Sequence, residues 1–212
     1  GISLGVAVLI IVMSVMNGFR AELINKIVGF NSHITVKSYD NSINPKKINS
    51  KNLKLISKNI VFSNSGEAII LKDNASKGIV LRGYNINDFS NLEIIKNKKF
   101  KGNTSLFKNS LSIGNELSFA LNLQIGDEVT LMSPSGVATI IGSMPKQKTF
   151  IVTSIFNSGL ADFDNNIAFI NLNTLEEFFG YEINNRNLEI YLKKPNNIES
   201  QKLIVQQIFD EE

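Results

Sequence analysis

An α+β protein attached to a membrane-spanning helix is what this sequence predicts, and three observations predict it. Residues 1–19, GISLGVAVLIIVMSVMNGF, carry no charge, and the first charged residue is Arg20. The chain that follows interleaves short alternating apolar stretches with segments of helical periodicity. Clusters of Ser, Asn, Asp and Gly punctuate those stretches at short intervals, as turns between strands do.

The opening run is read first because it has no counterpart later in the chain. Residues 1–16 would span roughly 24 Å as a helix at about 1.5 Å per residue. A hydrocarbon core of about 30 Å wants nearer 20 residues. The run starts at residue 1 with neither an initiator Met nor a charged flank, so it reads as the second part of a transmembrane helix whose beginning has been cut off. A core helix would show a polar face, and only Ser3 and Ser14 break this surface. A signal peptide would need a basic leader and a small-x-small cleavage site, for which Val15-Met16-Asn17-Gly18-Phe19-Arg20 is a poor match. Gly1 and Gly5 have the small-x3-small spacing that lets a second helix approach closely in a bilayer.

Residues 17–28 continue as an amphipathic stalk, with Phe19, Leu23, Ile24 and Ile27 on one face, and Gly29 is placed to end it. Residues 33–37 alternate as a short strand. Asn49 or Ser50 caps a helix reaching about Lys58, with Leu53 and Ile56 inward. Strands are expected at 60–62, 67–72 and 77–83, separated by Ser-Asn-Ser-Gly and Lys-Asp-Asn-Ala turns. This βαββ outline is half of a split α+β domain. After a Lys- and Asn-rich loop at 96–108, a strand at 110–113, a helix at 114–123 and a strand at 127–132 follow, with Gly126 in the tight turn before the last. A Pro-bounded excursion at 133–148 leads to strands at 149–156 and 166–171. Asn173 is placed to cap a helix at 174–179 with Glu176 three residues on. A strand at 187–192 and a helix opened by Pro195, amphipathic through Ile198, Leu203, Ile204 and Ile208, close the first half-domain around an insertion. The expected division is thus a truncated transmembrane helix at 1–19, a stalk at 20–32, a first half at 33–84, an inserted mixed, mainly β subdomain at 85–184 and a second half at 185–212. The chain stops within the last helical pattern, which reads as a second cut.

Composition removes several chemistries. With no Cys there are no disulfides, thiolate nucleophiles or zinc–cysteine sites. The net charge of +3 is spread among Asn and Ile rather than gathered on one face, so nucleic acid is not an expected partner. His33 is the single histidine, at the base of a strand beside Ser32, whose side chain points to the opposite face; it reads as a rim residue. Asp162-Phe163-Asp164-Asn165-Asn166 opens like a calcium loop but has Ile167 at position six and Asn173 at position twelve, where geometry needs Gly and Glu. Neither a phosphate-binding loop nor a dinucleotide fingerprint occurs, and the carboxylates are not paired in sequence. No catalytic residue, metal or cofactor is expected.

What remains is the excursion at 133–148. Between Glu128 and Asp162 no acidic residue occurs, while Val137, Ile140, Ile141 and Met144 are apolar and Pro134 and Pro145 stand near the two ends. Its length exceeds that of ordinary hairpin loops. Two readings stand level on these residues: an arm that captures a partner by edge or groove contact, and a hairpin folded back over an edge of its own core.

Three stretches carry a family resemblance. Leu4-Gly5-Val6 and Ser14-Val15-Met16-Asn17-Gly18-Phe19, followed by Val28-Gly29, resemble the first transmembrane helix and stalk of the LolC/LolE permease subunits of the bacterial lipoprotein-releasing ABC transporter. Ile113-Gly114-Asn115-Glu116-Leu117 with Leu123-Gln124-Ile125-Gly126-Asp127 resembles the periplasmic domain shared with MacB-type permeases. Met132-Ser133-Pro134-Ser135 with the run from Gly142 to Phe150 resembles the hook of LolC-type, or merged LolF-type, subunits. The resemblance implies a MacB-like periplasmic domain in the inner membrane's outer compartment and a non-catalytic subunit served by a LolD-type ATPase. The implied partners are a second permease subunit (LolE-like or a second copy), membrane lipid, a lipoprotein substrate and a LolA-type carrier. It assigns Leu9, Val12, Met13 and Met16 to the lipoprotein's acyl chains, and Pro134, Val137, Ile140, Ile141, Met144, Pro145 and Gln147 to the carrier-binding hook. A MacB-like efflux permease and an FtsX-like scaffold regulating cell-wall hydrolases are the alternatives.

Overall fold

The structure is a computed structural model and describes residues 2–37, 43, 45–96, 100–139 and 142–209. It opens with a 29-residue helix, α1 (Ile2–Phe30). The span and stalk are one unbroken element, and Gly29 lies inside it rather than ending it. The segment Ile2–Arg20 has the length and apolarity to cross a membrane and is nowhere buried by the rest of the chain. A soluble core helix of this composition would be covered.

After α1 come β1 (Ile34–Val36), the short helices α2 (Pro45–Ile48) and α3 (Lys51–Ile56), and the long hairpin of β2 (Ser57–Lys72) and β3 (Ala75–Tyr84). Ser50 caps α3 as the sequence suggests, its hydroxyl accepting from the Leu53 N–H. β2 corrects the sequence reading: Ser63-Asn64-Ser65-Gly66 is not a turn but the middle of one strand, paired with Leu81–Tyr84. Its polar residues are held from outside the local sequence. Ser63 donates to Glu189, and the Phe179 ring lies where a Cβ on Gly66 would sit, 2.6 Å from the ring. The other expected turn does form, at Asp73-Asn74, with Asp73 left-handed at φ 51°.

The chain continues through α4 (Ile86–Ser90), α5 (Glu93–Lys96), β4 (Phe100–Gly102), β5 (Ser110–Gly114), α6 (Asn115–Ala120), β6 (Glu128–Thr139) and β7 (Gly142–Phe156). It ends with α7 (Ala161–Asn166), β8 (Ile167–Asn171), α8 (Leu172–Phe179), β9 (Asn187–Leu192) and α9 (Ile198–Phe209). The helices α4 and α5 and the strand β4 had no sequence signal. Asn171, not Asn173, caps α8, accepting from the N–H groups of Asn173 and Thr174; Glu176 is thereby free to take a bidentate bond from Arg186 at 2.7 Å. Gly180, left-handed at φ 73°, ends that helix. In α9 the buried residues are Gln201 and Val205, with Ile208 and Phe209 packed against the same cluster, and Leu203 faces out at 62% exposure.

All nine strands share one ladder, and its path closes on itself. β2 pairs β3, β3 pairs β8, β8 pairs β5, β5 pairs β7, β7 pairs β6, and β6 returns to β2 at Thr130–Met132. The ring is filled by Ile70, Leu81, Leu111, Ile113, Leu131, Phe150 and their neighbours, and capped by Leu117 of α6 and Leu175 and Phe178 of α8. Where β2 runs past the ring its same edge takes β9, which in turn takes β1; α3 and α9 cover Leu188, Ile190 and Leu192 there. A third cluster joins Phe89, Phe156 and Phe169 with Tyr84, Tyr191 and partly buried Phe100 and Phe163. Much of the chain's phenylalanine therefore packs aromatic on aromatic, as in Phe156–Phe169 at 5.1 Å.

Candidate functional site

Two regions are built unlike the rest of the fold: the ribbon made by the far halves of β6 and β7, and the joint between α1 and the sheet. The ribbon is the excursion at 133–148, and it is regular structure. Met132 pairs Gln147, and the ladder resumes with Gly136 opposite Pro145 and runs to Thr139 opposite Gly142. Residues 133–135 face Lys146 alone, a bulge that contains Pro134. Proline has no N–H to give a ladder, so a bulge is where a strand tolerates it. β6 leaves β2 at Met132, and from Gly136 onward its strand partner is β7 only. From residue 147 to residue 142 the ribbon extends about 17 Å at roughly 3.3 Å per residue. Both of its outer edges carry backbone groups unmatched by a third strand among the described residues.

The root of the ribbon is anchored electrostatically. Lys146 donates to the Glu177 carbonyl at 2.5 Å, and Lys148 stands 3.8 Å from the Glu177 carboxylate, which Lys108 approaches at the same distance. Cations at the last turn of α8 complement its exposed carbonyls. Gln147 donates to the Met132 sulfur at 3.7 Å across the strand pair. The ribbon's two lysines are thus held by the domain itself.

Of the seven residues assigned to the hook, Met144 is 57% exposed, and Pro145 and Gln147 are exposed. Only the backbone of Pro134 and Val137 is described, and Ile140 and Ile141 lie outside the described residues. On α1, Leu9, Val12, Met13 and Met16 follow i, i+3, i+4, i+7 spacing, so they share one helix face. Each is more than half exposed. The α1 set thus lies on one helix, and the described members of the hook set are divided between β6 (Pro134, Val137) and β7 (Met144, Pro145, Gln147).

The joint was not visible in the sequence as a site. Glu189, on the apolar strand β9, is buried, and its two oxygens accept from Ser63 Oγ at 2.7 Å, Arg82 Nη2 at 3.0 Å, Tyr84 OH at 3.0 and 3.1 Å, and Tyr191 OH at 2.9 Å. Burial pushes the Tyr84 and Tyr191 hydroxyls to higher pKa, so they stay donors. Arg82 also donates from Nη1 to Asn31 Oδ1 at 2.9 Å, and Asn31 is the first residue after α1. A usable signal was present: Arg82 and Tyr84 on one strand, and Glu189 and Tyr191 on another, are two apart and so share a sheet face.

His33 completes the joint. Its N–H donates to the Ile190 carbonyl, and its Nδ1 accepts from the Leu192 N–H, both at 3.1 Å. With Nδ1 accepting, the ring proton of the neutral form sits on Nε2, which is buried without a partner among the described residues. Burial lowers the His33 pKa below the usual 6.5. A depressed folded pKa gives stability that is complete above the unfolded value and lost as pH falls through the folded one. The urea midpoint of the chain is therefore expected to fall between pH 7.5 and 5, and the fall should shrink in His33→Gln. An equal fall in the variant would assign the effect elsewhere.

No group of three metal-ligating side chains stands together among the described residues. A cavity of about 270 Å³ beside Lys58, Asn59, Lys96 and Tyr191 and an open groove of about 420 Å³ beside Glu67, Ile69 and Val80 bring no acid and base together.

The sequence profile of the MacB-like periplasmic core domain family matches residues 1–207. The chain is 26% identical over 206 residues, 93% of its length, to the lipoprotein-releasing system transmembrane protein LolC of Neisseria meningitidis serogroup B. It is 33% identical over 109 residues, 47% of its length, to the protein of the same name from Buchnera aphidicola subsp. Schizaphis graminum. It spans 49% and 25% of the lengths of those two relatives. Among solved structures, the periplasmic region of MacB from Actinobacillus actinomycetemcomitans aligns at TM-score 0.49 and 11% identity, covering 80% of this chain and 76% of that one. The extracellular domain of the transporter YknZ from Gram-positive bacteria aligns at 0.47 and 16%, covering 82% and 94%.

Proposed function

The chain belongs to the MacB-like periplasmic core domain family, and from that premise we propose that it is part of a permease subunit of an ABC transporter that releases lipoproteins from the inner membrane. The observation that carries the reading is the β6–β7 ribbon, which leaves its sheet at Met132, bends at the Pro134 bulge and presents Met144 to solvent. The name shared by both LolC relatives supports the cargo class. In this reading residues 1–19 lie in the inner membrane, and the stalk at 20–32 and the rest of the chain stand in the periplasm. The face of Leu9, Val12, Met13 and Met16 lines a cavity for acyl chains, for which unbranched Met is a deformable wall. A LolD-type ATPase and a second permease, LolE-like or another copy, drive the cavity closed. The ribbon, through Pro134, Val137, Ile140, Ile141, Met144, Pro145 and Gln147, holds a LolA-type carrier that receives the lipid. The chain itself makes and breaks no covalent bond. The same reading divides the polypeptide after residues 19, 32, 84 and 184, and the pairing of β9 with β1 and β2 supports joining 185–212 to 33–84.

The test presents the intact chain, in lipid nanodiscs, separately with a LolA-type carrier, a MacB-type adaptor and a cell-wall hydrolase. Capture of the carrier alone supports the proposal; capture of the adaptor or the hydrolase in its place supports an efflux permease or a regulatory scaffold. Met16→Asp should lower lipoprotein co-purification by about tenfold, since an unpaired carboxylate against acyl chains is costly, and leave carrier capture intact. Unchanged co-purification would remove the helix face from the cavity.

A further inference from the structure

We propose that Arg82 is a positioning residue that fixes the angle between the membrane helix and the sheet. Its guanidinium has two working ends. Nη2 is bonded to Glu189, which is held in turn by Ser63, Tyr84 and Tyr191, so that end is anchored in the interior. Nη1 reaches out to Asn31, the first residue after α1. The guanidinium also lies over the Tyr84 ring at 5.6 Å, which limits its rotation. The planar fork makes this possible: it presents two N–H directions at once, where an ammonium is a single flexible point charge.

The location is where an angular restraint is effective. The segment Ile2–Arg20 of α1 is nowhere buried by the rest of the domain, and α1 approaches α5. Two residues further on, His33 is bonded to β9 through its backbone N–H and its ring. With His33 fixed to the strand and Asn31 fixed through Arg82 to the buried carboxylate, the connection between helix and sheet is pinned at both ends. Releasing Asn31 leaves α1 to swing about the His33 attachment. None of this depends on what the permease carries.

The chain has no cysteine, so two introduced ones are labelled uniquely. Spin labels on Val8→Cys in α1 and Asn74→Cys in the β2–β3 turn, in the intact chain in nanodiscs, report the distribution of distances between helix and sheet by pulsed electron resonance. A narrow distribution is expected with Asn31 and Arg82 in place. In Asn31→Ala, losing one hydrogen bond should raise the population outside the main distance about fivefold, with the melting temperature unchanged because Glu189 keeps all its donors. Arg82→Lys should spread the distances in the same way, since an ammonium held by Glu189 does not also span to Asn31. Unchanged distributions in both variants would overturn the proposal, as would spreading that occurs only together with a lowered melting temperature.

Discussion

Removal of residues 136–142 is expected to abolish capture of the carrier while leaving the rest of the chain folded. The ring of strands closes through Thr130–Met132 of β6, below the deletion, and its core residues Val129, Leu131, Phe150 and Val152 are untouched. The bonds from Lys146 and Lys148 to Glu177 also lie outside the excised segment. What goes is the far end of the ribbon, whose backbone edges meet no third strand among the described residues. Partner capture by an added strand draws affinity from such main-chain groups and specificity from a few side chains. Since a handful of anchors carries most binding energy in an interface, the loss should reach about a hundredfold or more, read by calorimetry against the intact chain. Lys146→Gln provides the contrast: that lysine is already engaged at the root, so its replacement should weaken binding little.

The second large effect is on stability. Glu189→Ala leaves Arg82 in a largely enclosed place without its carboxylate and strips Ser63, Tyr84 and Tyr191 of their shared acceptor. Breaking a buried ion pair by removing one partner costs about 3–5 kcal/mol. At about 2–4 °C per kcal/mol for a chain of this size, the melting temperature should drop by about 10 °C. Glu189→Gln, which keeps an acceptor oxygen for some of the four donors, should lie between. A melting temperature within a degree or two of the parent in Glu189→Ala would show that the network is not a keystone of the fold.

Local signals in the sequence were reliable where the chain obeys its neighbours. The uncharged run before Arg20, the Ser50 cap, the Gly126 turn and the apolar runs in 77–83 and 187–192 each reported the element that formed. Sequence reading missed where distant residues override local preference. Ser63-Asn64-Ser65-Gly66 has turn composition, yet Glu189 and Phe179 keep it in a strand. Glu176 looked like part of a helix cap, yet Arg186, ten residues on, takes both of its oxygens. The closure of β6 onto β2 joins segments some 60 residues apart and leaves no local trace. The ribbon was legible as an apolar, Pro-bounded insertion; that its lysines are spent on Glu177 was not. The joint escaped because a lone Glu in an apolar strand says only that it has a partner, not which one.

Photo-crosslinking tests the central claim most directly. A photoreactive residue is placed at Met144 on the ribbon or, as a control, at Phe119 on α6, which is exposed at 72% and lies on another element. With the intact chain in nanodiscs and a LolA-type carrier in solution, a crosslinked product is expected from position 144 and not from position 119. No product from 144, or equal yields from both, would contradict the assignment of the ribbon as the surface that holds the carrier.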